Sequence, residues 1–212
     1  PLAPGQQVTI LSVPAPRQDA LPFPLLYEDE HLIVVNKPAK LLSVANEKEK
    51  VRTAYHIVTD YVKTQHIDNR IFVIHRLDRD TSGVLMFAKD AETKEQFQSR
   101  WNEIVTRRGY KALVEGTPRP ETGVLKGYLF KDAVKNRVFV TDTPQKGAKT
   151  CETRYRTLTK RGGLSLVECE LITGRTHQIR AQFAHAGHPL LGDGKYGKLD
   201  PHADRRYQAL YS

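Results

Sequence analysis

A paired pattern in the second half of the chain limits most strongly what this sequence can fold into. Two segments of β-rich composition, CETRYRTLT (Cys151–Thr159) and LSLVECEL (Leu164–Leu171), flank the short sequence KRGG. Apolar, aromatic and β-branched residues on both sides of a glycine-containing turn are typical of an antiparallel hairpin. The pattern therefore predicts an antiparallel sheet in this half of the chain.

Further strands are predicted on both sides of this hairpin. Gly, Pro and Asn turns separate three more segments of strand-like composition: YKALVEG, GVLKGYLF and RVFVT. Upstream, short apolar runs bounded by polar or turn residues predict buried strands. These runs are LIVVNKP (Leu32–Pro38), IFVI (Ile71–Ile74) and GVLMFAK (Gly83–Lys89).

Three helices are predicted between these strands. Thr53 is the expected N-cap of the first, because apolar residues then recur at helical spacing, at Ala54, Ile57, Val58, Tyr61 and Val62. Asp90 is expected to cap a second helix, closed by Gly109, with an apolar face of Phe97, Trp101, Ile104 and Val105. The third is expected within TGRTHQIRAQFAHAG, with Ile179, Phe183 and Ala186 on its apolar face. Mostly antiparallel strands with inserted helices predict the α+β class rather than a doubly wound sheet.

The composition fits one globular domain preceded by a linker. The 212 residues are 39% hydrophobic and 27% charged, which allows a sizeable core. Residues 1–24 are rich in proline and predict a tail or linker, so the domain is expected to occupy residues 21–212. The final run, Tyr207–Tyr211, has the composition of a strand cut short, which predicts a truncated C-terminus.

Charge and cysteine content narrow the partners and the compartment. Thirty-three Lys and Arg residues against 24 Asp and Glu residues give a net charge of +9, which favours a polyanionic partner such as nucleic acid. Two cysteines without a C-x-x-C pair indicate a reducing cytosol. Because no apolar run approaches the roughly 20 residues that span a bilayer, we expect a cytoplasmic protein without membrane contact.

The stretch IFVIHRLDRDTSG places five ionisable side chains directly after an apolar run. Within it, Asp78 is flanked by Arg76 and Arg79, whose positive charges favour an ionised carboxylate suited to act as a nucleophile or base. A solvated loop in which Asp78 caps a turn explains the same residues. The spacing alone favours that simpler interpretation.

A second basic cluster lies in TGRTHQIR. His177 and Arg180 are three residues apart and share one face of the predicted helix. Arg175 and Thr176 lie at its expected start, where backbone N–H groups attract phosphate. The alternative is an ordinary solvent-facing surface on an amphipathic helix.

Tyr110 is a third candidate functional residue. In a strand it shares a face with Ala112 and Val114. Its aromatic ring is able to stack on a nucleobase and its hydroxyl to take part in proton transfer. A buried core tyrosine is the commoner outcome.

Three other chemistries fit the residues less well. His177, His185, His188 and Asp193 match no compact metal-ligand motif, so we expect no metal. Asp78 and Asp80, two apart in a loop, need not face each other as a glycosidase pair. The sequence HRLD is similar to a kinase catalytic loop, but the glycine-rich, V-A-I-K and D-F-G motifs are missing.

Several segments, in their order and spacing, resemble the RluA-type family of RNA pseudouridine synthases. Its motifs match HRLDRDTSG, GYKALVEG and LITGRTHQIR, with YEDEHLIVVNKPAKLLSV as the first motif and HAGHPLLGDGKYG as the continuation of the last. The resemblance covers residues 21–198 and departs at Lys40, where glycine is usual, and at Ala181 and Gln182, where Val-His is usual. PLAPGQQVTIL resembles the tail of an S4-type RNA-binding domain, which assigns residues 1–20 to that tail and a linker.

The resemblance implies a fold and a set of site residues. The expected fold is the pseudouridine synthase fold, a mixed and mostly antiparallel central sheet flanked by helices, with the active-site cleft across the sheet. It implies that Asp78 attacks the target uridine, that Tyr110 packs on the base and that Arg180 pairs with the aspartate. Arg76 matches the arginine that inserts into RNA when the nucleotide is flipped out. Further RNA contacts are expected from His75, Arg79, Thr81, Arg175, Thr176 and His177.

The implied activity is isomerisation of a uridine to pseudouridine in structured RNA. Large-subunit ribosomal RNA is the expected substrate and tRNA the alternative, for a monomeric enzyme without cofactor or metal. A non-catalytic RNA-binding protein on the same fold is the other alternative. It predicts salt-dependent RNA affinity without any pseudouridine formed.

Overall fold

The computed structural model describes residues 21–132, 137–197 and 208–212. Its strands are β1 (Leu25–Glu28), β2 (Leu32–Lys37), β3 (Phe72–Val73), β4 (Gly83–Ala88), β5 (Gly109–Glu115), β6 (Thr122–Asp132), β7 (Arg137–Thr141), β8 (Lys149–Arg161), β9 (Leu164–Leu171) and β10 (Leu210–Tyr211). Its helices are α1 (Ala54–Gln65), α2 (Ala91–Ser99), α3 (Trp101–Ile104) and α4 (Gln178–His185). The N-terminal tail and its S4-like segment, residues 1–20, and Tyr207 lie outside the described residues.

The strands form two sheets, a four-stranded one in the order β1-β2-β4-β3 and a six-stranded one in the order β10-β5-β9-β8-β6-β7. Neighbouring described strands pair antiparallel throughout, which confirms the α+β prediction. The predicted hairpin is β8–β9, in which Arg161 pairs with Leu164. Its two turn residues, Gly162 and Gly163, have φ angles of 58° and 75°, which glycine adopts without steric cost.

The helices α1 and α4 bury apolar residues in the cores of different sheets. Thr53 caps α1 as predicted, accepting the N–H of His56, and α1 buries Ala54, Val58 and Val62 in the core of the four-stranded sheet. On the six-stranded sheet, α4 buries Ile179 and Phe183 against residues of β5 and β9, as predicted. The expected third apolar residue, Ala186, is instead the exposed C-cap of α4.

Three local predictions were wrong at their boundaries. The strand predicted for IFVI is limited to β3 at the sheet edge. The helix predicted after Asp90 is broken at Arg100, whose φ of −119° and ψ of 27° are not helical, so that α2 and α3 are separate. Gly109 does not close a helix but begins β5.

The two sheets approach each other at the C-terminal residues and the loop Ile74–Ser82, which connects β3 to β4. Ser82 forms a parallel bridge with Tyr211 of β10, and β10 pairs with β5. Tyr110 of β5 packs against both cores. The loop that carries Asp78 therefore lies where the two halves of the molecule meet.

Candidate active site

A cavity of about 1010 Å³ opens beside this loop and is lined from both halves of the molecule. Asp78, Tyr110 and Arg180, which are far apart in the sequence, all line it. Its other charged lining residues are mostly basic: Arg76, Arg79, Arg108, Lys131, Arg175 and Lys195, with Asp80 and Asp193 as carboxylates. The surplus of cationic side chains favours an anionic ligand.

The backbone of the loop is fixed by two buried polar side chains, Lys37 at the end of β2 and Ser43 after it. Ser43 donates its hydroxyl to the carbonyl of Leu77 at 2.8 Å and accepts the N–H of Leu77 at 3.0 Å. Lys37 is fully buried, and its Nζ donates to three carbonyls, those of Pro38, Leu41 and Arg79. Burial lowers the pKa of Lys37 to about 8, and the three carbonyl acceptors satisfy its ammonium group. These contacts hold the backbone at Leu77 and Arg79, the residues on either side of Asp78.

The turn around Lys40 accounts for the glycine that is usual in the family pattern at this position. Lys40 has a φ of 67°, in the left-handed region that favours glycine. The second departure, Gln182, is 2% exposed, accepts the hydroxyl of Thr153 at 2.6 Å and donates to the carbonyl of Leu125 at 2.8 Å. Both substitutions are thus accommodated outside the group around Asp78.

Asp78 is paired with a buried arginine. Nη1 of Arg180 donates to Oδ2 of Asp78 at 3.0 Å, while Nε and Nη2 of Arg180 bind Asp193 at 2.7 Å and 3.0 Å. The side chains of Arg180 and Asp193 are 9% and 1% exposed. Burial acts to lower the pKa of Arg180, but the hydrogen bonds and charges of the two carboxylates outweigh it and raise that pKa. Arg180 is therefore a permanent cation inside the protein, not on the solvent-facing helix surface that was the alternative.

The positive charges expected next to Asp78 lie elsewhere. Arg79 makes a two-pronged ion pair with Asp80, with both N–O distances at 3.0 Å. Arg76 is exposed at the cavity wall. The cation that contacts Asp78 thus comes from α4, 102 residues away in sequence.

The sequence pattern predicts His177 on one face of the helix, but His177 directly precedes α4 and is not part of it. It is the N-cap residue, with a left-handed φ of 54°. Its Nε2 is 3.8 Å from Oδ2 of Asp78, and its Nδ1 is 2.8 Å from the hydroxyl of Tyr196. Burial, as the largest effect, lowers the pKa of His177, so its neutral form is favoured at neutral pH.

Tyr110 occupies the predicted strand face, shared with the buried Ala112 and Val114. Its ring packs against both cores and also lines the cavity. Burial, with the nearby Asp78 charge, raises the pKa of Tyr110. A neutral phenol that presents a ring and an O–H donor is therefore available beside the carboxylate.

The predicted RNA-contact residues divide into two groups. Arg76, Arg79, Arg175 and Thr176 are exposed and line the cavity, in positions open to a phosphate backbone. His75 and Thr81 also line the cavity, and each makes a hydrogen bond within the protein, so their contact with RNA stays a prediction. Burial lowers the pKa of His75 to about 4, and its Nε2 accepts the N–H of Met86 at 3.1 Å.

Thr81 is 2% exposed, and its hydroxyl accepts a hydrogen bond from Gln208 at 2.7 Å. Its backbone N–H donates to the carbonyl of Asp78. These contacts shape the turn that follows Asp78 and leave the hydroxyl occupied.

Sequence reasoning missed several residues around Asp78. Asp193 and Tyr196 lie in the HAGHPLLGDGKYG segment, which was recognised without assigning roles to its side chains. Trp101 was assigned to a helix core, yet it lines the cavity 5.7 Å from the His75 ring. A run of glycines around Asp193 was the available signal, because it predicts a turn that brings the carboxylate close to neighbouring elements.

Within residues 21–132, 137–197 and 208–212, no group of three or more His, Cys, Asp or Glu side chains is arranged to hold a metal ion. Over the same ranges, no helix has the length and apolar character required to cross a bilayer.

The model of one protein family, described as RNA pseudouridylate synthase, matches residues 31–185. Curated relatives include an uncharacterized RNA pseudouridine synthase of Bacillus subtilis, 33% identical over 82% of this chain and 57% of the relative. Ribosomal large subunit pseudouridine synthase D of Nitrosomonas europaea is 33% identical over 86% of this chain and 52% of the relative. Synthase C of Rickettsia typhi is also 33% identical, over 89% of this chain and 61% of the relative. The chain thus spans roughly half to three fifths of these relatives.

The fold has solved counterparts. Human RNA Pseudouridylate Synthase Domain Containing 4 superposes with a TM-score of 0.71 at 23% identity, covering 88% of this chain and 81% of the human chain. Human RNA Pseudouridylate Synthase Domain Containing 1 gives a TM-score of 0.70 at 21% identity, covering 90% of this chain and 76% of that one. Because both identities are below 25%, these two structures support the fold alone.

Proposed function

The chain belongs to the RNA pseudouridylate synthase family, in its RluA-type branch, and from this we propose that it isomerises uridine to pseudouridine in structured RNA. The observation that carries the proposal is the buried Arg180 that holds the Asp78 carboxylate at the wall of a basic cavity. A cation fixed at 3.0 Å from the carboxylate holds it in one orientation. Such a group is suited to attack an electrophilic carbon of a bound nucleotide.

The reaction exchanges one bond to the ribose for another. The bond from ribose C1′ to N1 of uracil breaks, a bond from C1′ to C5 forms, the proton on C5 leaves and a proton is taken up at N1. We assign Asp78 as the nucleophile, which bonds to C1′ as the bond to N1 breaks and is released as the bond from C1′ to C5 forms. We assign Tyr110 as the ring that packs on uracil. Because burial keeps Tyr110 protonated, its hydroxyl serves as a hydrogen-bond donor to the base rather than as a phenolate base.

The reacting atoms have to leave the base stack to reach Asp78. A uridine inside a helix hides its ribose and base edge, so flipping the nucleotide into the cavity is required, and flipping costs least in loops. Exposed Arg76, two residues from Asp78, is placed to fill the space that the flipped base leaves. Arg79, Arg175 and Thr176 at the cavity wall would hold the flanking phosphates.

We propose large-subunit ribosomal RNA as the substrate of a monomeric enzyme. The support is that two of the relatives described above are named ribosomal large subunit pseudouridine synthases. The isomerisation conserves the atoms of uridine apart from exchanged protons and involves no net oxidation, so no cofactor is part of the proposal. Mapping pseudouridines in total RNA from cells with and without the gene tests the substrate. If pseudouridines disappear only from tRNA when the gene is absent, the substrate is tRNA and not ribosomal RNA.

The activity itself is tested with Asp78→Asn. This substitution keeps the size of the side chain but removes the nucleophile, so tritium release from RNA containing 5-tritiated uridine should fall by more than about 1,000-fold. RNA affinity should stay within about threefold, because the exposed cavity residues Arg76, Arg79, Arg175 and Thr176 are unchanged. The matched control is Asp142→Asn, which neutralises an exposed carboxylate outside the cavity. Full turnover by the Asp78 variant would remove Asp78 from the mechanism, and wild-type protein that binds RNA without forming pseudouridine would support the binding-protein alternative.

A further inference from the structure

The turn Gly192–Gly197 contacts Arg180 and His177, two neighbours of Asp78. The proposed chemistry assigns no role to this turn. It is tied to the large sheet on its N-terminal side, where Leu190 bridges Val114 of β5 and the N–H of Leu191 donates to the carbonyl of Leu113. The turn is closed by the N–H of Gly197, which donates to the carbonyl of Asp193 at 2.8 Å. Backbone hydrogen bonds therefore fix both the position and the shape of this turn.

Asp193 uses both of its carboxylate oxygens within this turn. Oδ2 accepts Nε of Arg180, and Oδ1 accepts Nη2 of Arg180 together with the backbone N–H groups of Lys195 and Tyr196, at 3.0 Å and 3.2 Å. Burial acts to raise the pKa of Asp193, but these hydrogen bonds lower it below its usual range. One edge of the guanidinium, Nε and Nη2, is thereby held by Asp193, and the remaining nitrogen, Nη1, donates to Asp78.

Tyr196, near the other end of the turn, contacts both Arg180 and His177. Its ring centroid is 5.0 Å from Cζ of Arg180, within the range of a cation–π contact. Its hydroxyl accepts the N–H of Val138 in β7 at 3.1 Å and lies 2.8 Å from Nδ1 of His177.

The positions of the protons follow from these partners. Nε2 of His177 is 3.8 Å from Oδ2 of Asp78, beyond hydrogen-bond distance. We assign the proton of the neutral imidazole to this Nε2, because an N–H there faces an oxygen that accepts hydrogen bonds, whereas an unprotonated nitrogen would face it with a lone pair. Nδ1 of His177 is then an acceptor, and the hydroxyl of Tyr196 donates to it. Since that hydroxyl also accepts from Val138, the chain of donors runs from β7 through Tyr196 to His177 without a conflict.

We propose that Asp193 and Tyr196 are positioning residues, which hold the donor Arg180 on the Asp78 carboxylate and orient His177 beside it. The inference rests on the proposed function, because it assigns the turn a role in orienting the nucleophile. Asp193 fixes the guanidinium by a bidentate ion pair, and Tyr196 fixes the histidine tautomer by its hydroxyl. Neither side chain is assigned a contact with RNA.

Two conservative substitutions test this role. Asp193→Asn replaces one guanidinium acceptor by an amide donor, and Tyr196→Phe keeps the ring but removes the hydroxyl. Each should lower the single-turnover rate on saturating RNA by about 10- to 100-fold, because a small misplacement of reacting groups has effects of that size. The dissociation constant for RNA should stay within about twofold. A shared loss of rate and affinity that follows the fraction of folded protein would mean that the turn is only structural.

The control is Tyr155→Phe, which removes another hydroxyl, donated to the carbonyl of Pro120 within the sheet. It should leave both rate and affinity unchanged. Wild-type rates in Asp193→Asn and Tyr196→Phe would overturn the inference while the proposed function stands. A wild-type enzyme without activity would instead overturn the proposed function.

The histidine tautomer gives a second measurement that does not depend on the variants folding. In wild-type protein, long-range ¹H–¹⁵N spectra of His177 should show a protonated Nε2 and an unprotonated Nδ1. Tyr196→Phe should shift this pattern toward a mixture of tautomers. A wild-type His177 with its proton on Nδ1 would overturn the proposed chain of donors.

Discussion

The inner wall of the cavity and its rim differ in how their charges are held. Inside, Asp78, Arg180 and Asp193 form an ion-paired group whose arginine and second carboxylate are almost fully buried. At the rim, Arg76, Arg175 and Thr176 are exposed. Buried charges in fixed geometry act on the reacting atoms, whereas exposed charges act mainly through salt-sensitive attraction of phosphate. The inner group should thus control turnover and the rim should control affinity.

The largest expected effect is on the inner side, for Arg180→Lys. A lysine keeps the charge but cannot contact Asp78 and Asp193 at once with the planar fork of arginine. Turnover should fall by about 100-fold or more, while the dissociation constant for RNA changes by less than about threefold. Single-turnover rates and RNA titrations measure the two effects separately. Arg156→Lys, at an exposed ion pair with Glu168, should change neither, and equal losses of rate and affinity in the Arg180 variant would place Arg180 among the phosphate contacts.

A second prediction concerns His75, an expected RNA contact that lines the cavity and whose pKa is lowered by burial. Its pKa is about 4 in the folded protein against an ordinary 6.5. Between these values the unfolded chain binds a proton that the folded protein does not, so stability should rise with pH from about 4 to 6.5 and be lost as the pH falls. The contribution is at most roughly 3 kcal/mol, from about 1.36 kcal/mol per pKa unit.

Denaturant unfolding at several pH values measures this contribution. His75→Gln, whose amide oxygen is able to accept the N–H of Met86, should flatten the pH dependence between 4 and 6.5. His66→Gln, at an exposed histidine, should leave it unchanged. If the pH dependence of the His75 variant equals that of the wild type, the pKa of His75 is not the cause of the slope.

The smallest expected effect is at the rim itself, for Arg175→Ala. Removing one exposed cation near the phosphates should weaken RNA binding by about 3- to 10-fold and reduce the slope of log affinity against log salt by about one. Turnover at saturating RNA should not change. Arg154→Ala removes the same charge from an exposed position outside the cavity and is the control. A lower saturated rate in the Arg175 variant would contradict the division between inner group and rim.

Local features of the fold were predictable because their causes lie within a few residues. The β8–β9 turn follows from two glycines between alternating segments, and α1 follows from the Thr53 cap and the apolar spacing after it. The helix after Asp90 was predicted too long, because its apolar pattern continues through Trp101 while the backbone breaks at Arg100. Periodicity reports which residues could share a face but not whether the backbone between them stays helical.

The sequence by itself determined the α+β class, the family, and the candidates Asp78, Tyr110 and Arg180, through local patterns and motifs in a recognisable order. Only the tertiary structure decided which charges meet. The cation that contacts Asp78 is not its neighbour Arg79, which pairs with Asp80, but Arg180, anchored by Asp193. Likewise, packing against Met86 and burial made His75 a neutral acceptor. Ion pairing and pKa depend on distance and burial in space, and neither quantity is written in the spacing of residues along the chain.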